Sequence, residues 1–196
     1  MYALYITHPQ VRIDADVPVP DWGLSDLGIG RTREAAARPW AGTLKRIVSS
    51  TENKALETAR ILASVGGVAI ETVPDMHEND RSATGFLPPD RFEAAADWFF
   101  AQPHASYKGW ETAIDAQTRI VSAVETVLAD HDPMLPIVFV GHGGVGTLLK
   151  CHLAGSQITR STDQPPGGGN LFCFTLADRR ITCDWMAMET WQGMTL

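Results

Sequence analysis

Two histidines stand at the ends of apolar runs in this chain. His8 follows "ALYI" (3–6) and Thr7, with Pro9 directly behind it. His142 follows "PIVFV" (136–140) and opens "GHGGVG". A neutral imidazole is a competent nucleophile near pH 7. An acid beside it can protonate a leaving oxygen. Glu78, in "MHENDR", is the candidate acid, and Asp80 competes for that role. Lys54, in "SSTENKALETA", supplies a cation. Two imidazoles, a carboxylic acid and a cation suit phosphoryl transfer without a metal, because that chemistry is mostly positioning and electrostatics. Backbone N–H groups from Gly143 onward would assist, since "GHGG" opens a helix directly after a strand.

These residues are far apart in sequence, so the fold must gather them. "ALYI" reads as a strand, and 13–23, rich in Pro and Asp, as a loop. Ser25 is a plausible N-cap for a helix running to about Arg38, before Pro39. "RIVSS" (46–50) is a strand. "ENKALETARILASVG" is a helix with Ala55, Ala59, Leu62 and Ala63 on one face and Gly66-Gly67 as its stop. "VAIETV" (68–73) is the next strand, and 76–89 is polar and irregular. Pro88-Pro89 starts a helix over "DRFEAAADWFFAQ", and 110–130 forms a long amphipathic helix with Ile114, Ile120, Val121, Val124 and Leu128 inward. "PIVFV" reads as a central parallel strand, "GGVGTLLKCHLAG" as a helix, and "LFCFTL" with "ITCDWMAM" as a closing hairpin around "ADRR".

That alternation points to an α/β three-layer sandwich, with a mostly parallel central sheet and helices on both faces. Ligands in such sheets bind outside the carboxyl ends of the strands. His8, Ser49, Ser50, Lys54, Glu78 and His142 all follow strands and are therefore expected on one edge.

The totals agree with a single domain over residues 1–196. The chain is 44% hydrophobic and 20% charged, with net charge −7, an ordinary globular balance. No nucleic-acid partner is expected, because duplex binding needs a basic face. Cys151, Cys173 and Cys183 are odd in number and widely spaced, which argues against a disulfide framework or a zinc site. No signal peptide is visible, and no apolar run nears the roughly 20 residues that span a bilayer. A cytoplasmic protein with no membrane partner is expected. Oligomeric state is not legible.

At these residues the chain resembles the histidine phosphatase superfamily, the phosphoglycerate mutase-like group. That family's first strand ends in Arg-His-Gly, where this one has Thr7-His8-Pro9. Its Ser-Ser-x-x-x-Arg-Ala-x-x-Thr-Ala motif matches "SSTENKALETA", with Lys54 in place of the arginine. The acid after the third strand matches "MHENDR", the late His-Gly-Gly matches "GHGG", and "GWETAIDAQTRI" resembles the Gly-Glu-Ser…Arg helix before it. The resemblance implies a phosphoglycerate mutase-like fold and a phosphohistidine on His8. It implies transition-state contacts from His142, a proton from Glu78 and phosphate binding by Lys54. No cofactor or metal is implied. The substrate would be a small phosphorylated metabolite, and a hydrolase is favoured over a mutase.

The departures predict a lower rate. Thr7 offers a hydroxyl for a guanidinium, Pro9 lacks an N–H, and Lys54 is a point charge rather than a fork. Losing one preorganised donor can cost about 10²–10³ in rate. Arg12, just past the first loop, and Arg81, in the Glu78 loop, are candidates to restore the charge. Other readings of these residues stay open. A phospholigand-binding protein without catalysis would explain Thr7 and Pro9. "GHGGVG" also fits the G-x-G-x-x-G dinucleotide pattern of an oxidoreductase. Ser49 and Ser50 read as strand-end and capping hydroxyls, Arg119 as an ion-pair partner and Glu111 as a first-turn acid. His77, His104, His131 and His152 have no metal spacing. Trp98, Phe99 and Phe100 read as core or helix-cap packing in preference to an apolar substrate wall.

Overall fold

A computed structural model describes residues 1–194. The central sheet holds β1 (Tyr2–Thr7), β2 (Arg46–Ser49), β3 (Ile70–Thr72), β4 (Ile137–Gly141), β5 (Asn170–Thr175) and β6 (Ile181–Ala187), in the order β3-β2-β4-β1-β5-β6. The first four strands are mutually parallel; β5 adds antiparallel to β1 at one side, and β6 pairs antiparallel with β5. The helices are α1 (Asp26–Ala36), α2 (Asn53–Gly66), α3 (Pro89–Ala101), α4 (Ala113–Ala129) and α5 (Gly143–Leu153).

Alternation along the strands divides the core into two layers. Tyr5, Val48, Phe139 and Phe172 face α3, α4 and α5. Leu4, Ile6, Ile47, Val138 and Val140 face α1 and α2. Every residue of β4 is buried, as a strand covered on both faces requires. Each large aliphatic side chain removed from water contributes about 1.5–3 kcal/mol.

Element ends differ from expectation for local reasons. The Ser25 side chain accepts from the Gly28 N–H and starts α1, but the helix stops at Ala36. Arg38 precedes Pro39 and is extended, the geometry that the proline ring imposes. Gly67 closes α2 in the left-handed region at φ 62°. The Val68 N–H then bonds back to the Ala63 carbonyl, so Val68 belongs to that cap and β3 is shorter than 68–73. The expected helix at 110–130 begins at Ala113, because the Thr112 hydroxyl caps the Asp115 N–H. Among the described residues no helix is long and apolar enough to cross a membrane.

Candidate active site

Parallel pairing of β1 with β4 brings Thr7 level with Gly141, and the His8 N–H donates to the Gly141 carbonyl at 3.0 Å. The next residue on each strand is a histidine. Neighbouring strands lie about 4.8 Å apart, so the two rings must approach. Their centroids are 5.3 Å apart, with planes inclined by 68°.

Each ring is oriented by a local bond. His8 Nδ1 lies 2.9 Å from the Pro9 carbonyl oxygen. A carbonyl can only accept, so Nδ1 carries the proton and Nε2 keeps its lone pair. His8 is partly exposed at the cleft, yet desolvation still lowers its pKa to about 4, helped by the Lys54 charge and opposed by the Pro9 bond. Its imidazole is therefore neutral at pH 7. His142 is fully buried. Its Nε2 meets Ser50 Oγ at 2.9 Å, while Nδ1 has no partner among the described residues. Burial holds its pKa well below the usual imidazole range, against the pull of Glu52. Tyr5 Oη accepts from the His142 N–H at 3.2 Å and fixes the backbone there.

Glu52 is a site residue that sequence reasoning missed. It is 8% exposed and ion-paired with Lys54, itself 3% exposed. Its Oε1 accepts from the Glu78 N–H at 2.9 Å and lies 3.5 Å from His142 Nε2. Burial opposes its ionisation, but His142, Lys54 and the Glu78 N–H together hold its pKa down to about 2. Its position before the first turn of α2 gave the only signal, and that signal is shared by ordinary first-turn acids.

The expected site residues divide. Glu78 reaches the cleft, where its oxygens accept from the N–H groups of Asn79, Gly144 and Val145, each at 3.0 Å. It thereby engages two of the helix N-terminal donors expected to serve a phosphate. Arg119 braces the loop carrying it: its guanidinium donates to the carbonyls of Asp75 and His77 and pairs with Glu111. Asp80 is exposed and instead accepts from the Ser82 N–H. Lys54 lies beneath the site, bound to Glu52 and to the Val19 carbonyl at 2.8 Å. The Thr7 hydroxyl is engaged with Gln164 Oε1 (2.6 Å) and the Asn170 N–H (3.1 Å). Gly143 lines the cleft, packed against the Gln164 side chain.

Arg12 is exposed and does not line the cleft, although Val11 and Ile13 on either side of it do; its backbone N–H pairs with the Gly23 carbonyl. Arg81 does line it, its guanidinium 4.7 Å over the Phe92 ring. The cleft is about 580 Å³ and has His8, Glu78, Asn79, Arg81 and Gln164 on its walls. Phe99 and Phe100, expected in the core, are buried there and also form part of the cleft wall. The dinucleotide reading fails sterically: the Glu78 carboxylate lies on the N–H groups where a pyrophosphate would have to sit. Among the described residues no group of three or more His, Cys, Asp or Glu side chains could hold a metal ion.

A model of the histidine phosphatase superfamily (branch 1) matches residues 8–188. The chain belongs to that superfamily. The match begins at His8 and takes in every residue of the site except Thr7. No curated protein matches in sequence. Among solved structures, mycobacterial glucosyl-3-phosphoglycerate phosphatase with inorganic phosphate superposes with TM-score 0.79 at 20% identity, covering 97% of this chain and 99% of that one. Bacillus stearothermophilus YhfR gives 0.80 at 19% identity over 96% and 98%. The alpha-ribazole phosphatase from Shigella flexneri gives 0.70 at 15% identity over the whole of both chains. These likenesses establish a phosphoglycerate mutase-like α/β fold, and two of the three similar proteins, the glucosyl-3-phosphoglycerate and alpha-ribazole enzymes, are named as phosphatases.

Proposed function

We propose that this histidine phosphatase superfamily member is a metal-independent phosphomonoester hydrolase acting on a small phosphorylated metabolite through a phosphohistidine on His8. The observation that carries this reading is the histidine pair: two rings 5.3 Å apart, one with its Nε2 lone pair free by the Pro9 bond. In the first step Nε2 attacks phosphorus, the P–O ester bond breaks, and Glu78 delivers a proton to the departing oxygen. In the second, water attacks the phosphohistidine, the P–N bond breaks, and the Glu78 carboxylate takes the water's proton. His142 and Arg81 stabilise the charge on the equatorial oxygens. Nucleophile, acid and cation are all side chains, so no step calls for a metal. Three unpaired thiols, at Cys151, Cys173 and Cys183, accord with a reducing, cytoplasmic setting.

A second reading has its own support. At the two positions where the family's arginines stand, Thr7 is bonded to Gln164 and Lys54 is neutralised by Glu52. That supports a protein that binds a phospholigand without turning it over.

Turnover of p-nitrophenyl phosphate in EDTA, followed by a panel of phosphorylated metabolites, separates the two. The hydrolase reading expects metal-independent release that His8→Ala abolishes, with labelled phosphate trapped on His8 by rapid quench. Vanadate or phosphate binding without turnover of any panel member would favour the second reading and overturn the first.

A further inference from the structure

An apolar annex of about 220 Å³ opens from the phosphate cleft. It shares Ile13, Arg81, Phe92 and Glu93 with the cleft wall, so a ligand can occupy both at once. Its remaining surface comes from the segment after β1 and the loop before α3, through Trp22, Phe86 and Leu87. Trp22 and Phe86 are in edge contact, ring centroids 5.7 Å apart. The Trp22 indole N–H is already donated within its own loop, to the carbonyls of Asp14 and Val17. The annex therefore meets only the apolar body of that side chain. Ile13 is 61% exposed and Phe86 39% exposed, so apolar surface is open to solvent beside the phosphate cleft.

The two charged side chains that line the annex, Arg81 and Glu93, are both shared with the cleft. Glu93 there is held by Arg160, and the Arg81 guanidinium lies over Phe92. A sugar hydroxyl drawn into such a space would give up water without a partner, which is unfavourable. A hydrocarbon or aromatic group would gain by burial. We propose, resting on the phosphohydrolase reading above, that the substrate is a phosphomonoester of an apolar alcohol. Its phosphate lies between His8 and Arg81, and its hydrocarbon or aromatic body lies in the annex against Ile13, Trp22 and Phe86.

The test compares 2-phenylethyl phosphate with glucose 6-phosphate, two esters with primary alkyl leaving oxygens. The proposal expects kcat/KM to favour the phenylethyl ester by at least about tenfold, and Phe86→Ser to erase most of that ratio. In parallel, calorimetry measures 2-phenylethylphosphonate against methylphosphonate, neither of which needs turnover. Turnover without preference, and unchanged by Phe86→Ser, overturns the annex while leaving the hydrolase standing. Tighter binding of the phenylethyl phosphonate that Phe86→Ser removes, with no ester hydrolysed, sustains the annex and overturns the hydrolase. Equal phosphonate affinities without turnover overturn both.

Discussion

Glu52 and Lys54 form a buried ion pair, and the same carboxylate lies 3.5 Å from His142 Nε2. The lysine that stands in a phosphate-binding position of the family motif thus has its charge answered from within the chain. Removing one partner of a buried pair leaves the other uncompensated. Glu52→Gln is therefore expected to destabilise the protein by about 3–5 kcal/mol, measured by urea unfolding. The double substitution Glu52→Leu with Lys54→Met is expected to regain most of that loss. A double-variant loss equal to the sum of the losses of Glu52→Leu alone and Lys54→Met alone would show that the two side chains act independently.

Acid stability follows from the same groups. The folded His8 ring refuses protons until about pH 4, whereas the unfolded residue accepts them from 6.5 downward. Between those values the unfolded state binds more protons, so stability falls as pH is lowered through that window. Glu52 has the opposite starting form and the same outcome. Its folded pKa of about 2 lies below the ordinary 4.5, so its contribution is present above 4.5 and is lost as pH drops toward 2. Unfolding free energies measured at pH 7, 5.5 and 4.5 should decline steadily, and His8→Gln should flatten the first part of that decline.

Gly144 separates activity from stability. A Cβ at this position would lie 2.7 Å from Glu78 Oε1, too close to be tolerated unless the carboxylate moves. Alanine is otherwise the better helix residue by up to about 1 kcal/mol. Gly144→Ala should retain or raise Tm while kcat falls by about 10²-fold through misplacement of Glu78. A variant with unchanged kcat would remove Glu78 from the proposed proton transfer.

Arg119 acts on Glu78 from behind. Its guanidinium bonds to the carbonyls of Asp75 and His77 and to the Glu111 carboxylate. Bonds of this charged kind are worth about 1.5–3 kcal/mol each. Arg119→Met should speed hydrogen exchange in residues 75–79 and lower kcat more than it raises KM, with partial rescue by Arg119→Lys. Unchanged exchange in that loop would count against the bracing role.

Much of this arrangement was legible because it depends on backbone pattern. The apolar runs before His8 and His142 marked two buried strands, and their parallel register made the meeting of the rings a geometric consequence. Ser25 as a cap, Gly67 as a stop and the closing hairpin were legible for the same local reasons. What escaped depends on side-chain direction. Glu52 resembled a solvated first-turn acid until the fold carried Glu78 and His142 to it from 26 and 90 residues away. Ser50 read as a strand-end or capping hydroxyl, and its Oγ does accept from the Glu52 N–H, yet it also meets His142 Nε2. Arg12 and Arg81 looked equivalent in sequence. Arg12 is exposed and absent from the cleft wall, whereas the Phe92 ring holds Arg81 at the cleft.

The position of β1 has a consequence for how the chain comes into being. The strand that ends at His8 precedes the other five in sequence, yet it lies between β4 and β5, pairing Thr7 with Gly141 and Ile6 with Leu171. A nascent chain on the ribosome cannot pair both flanks of β1 until β5 has emerged, because contacts so distant along the polypeptide form late. Premature termination before residue 170 would leave one flank of that strand unpaired and exposed to aggregation. Ordering of the histidine pair is thereby tied to the emergence of β4 and β5.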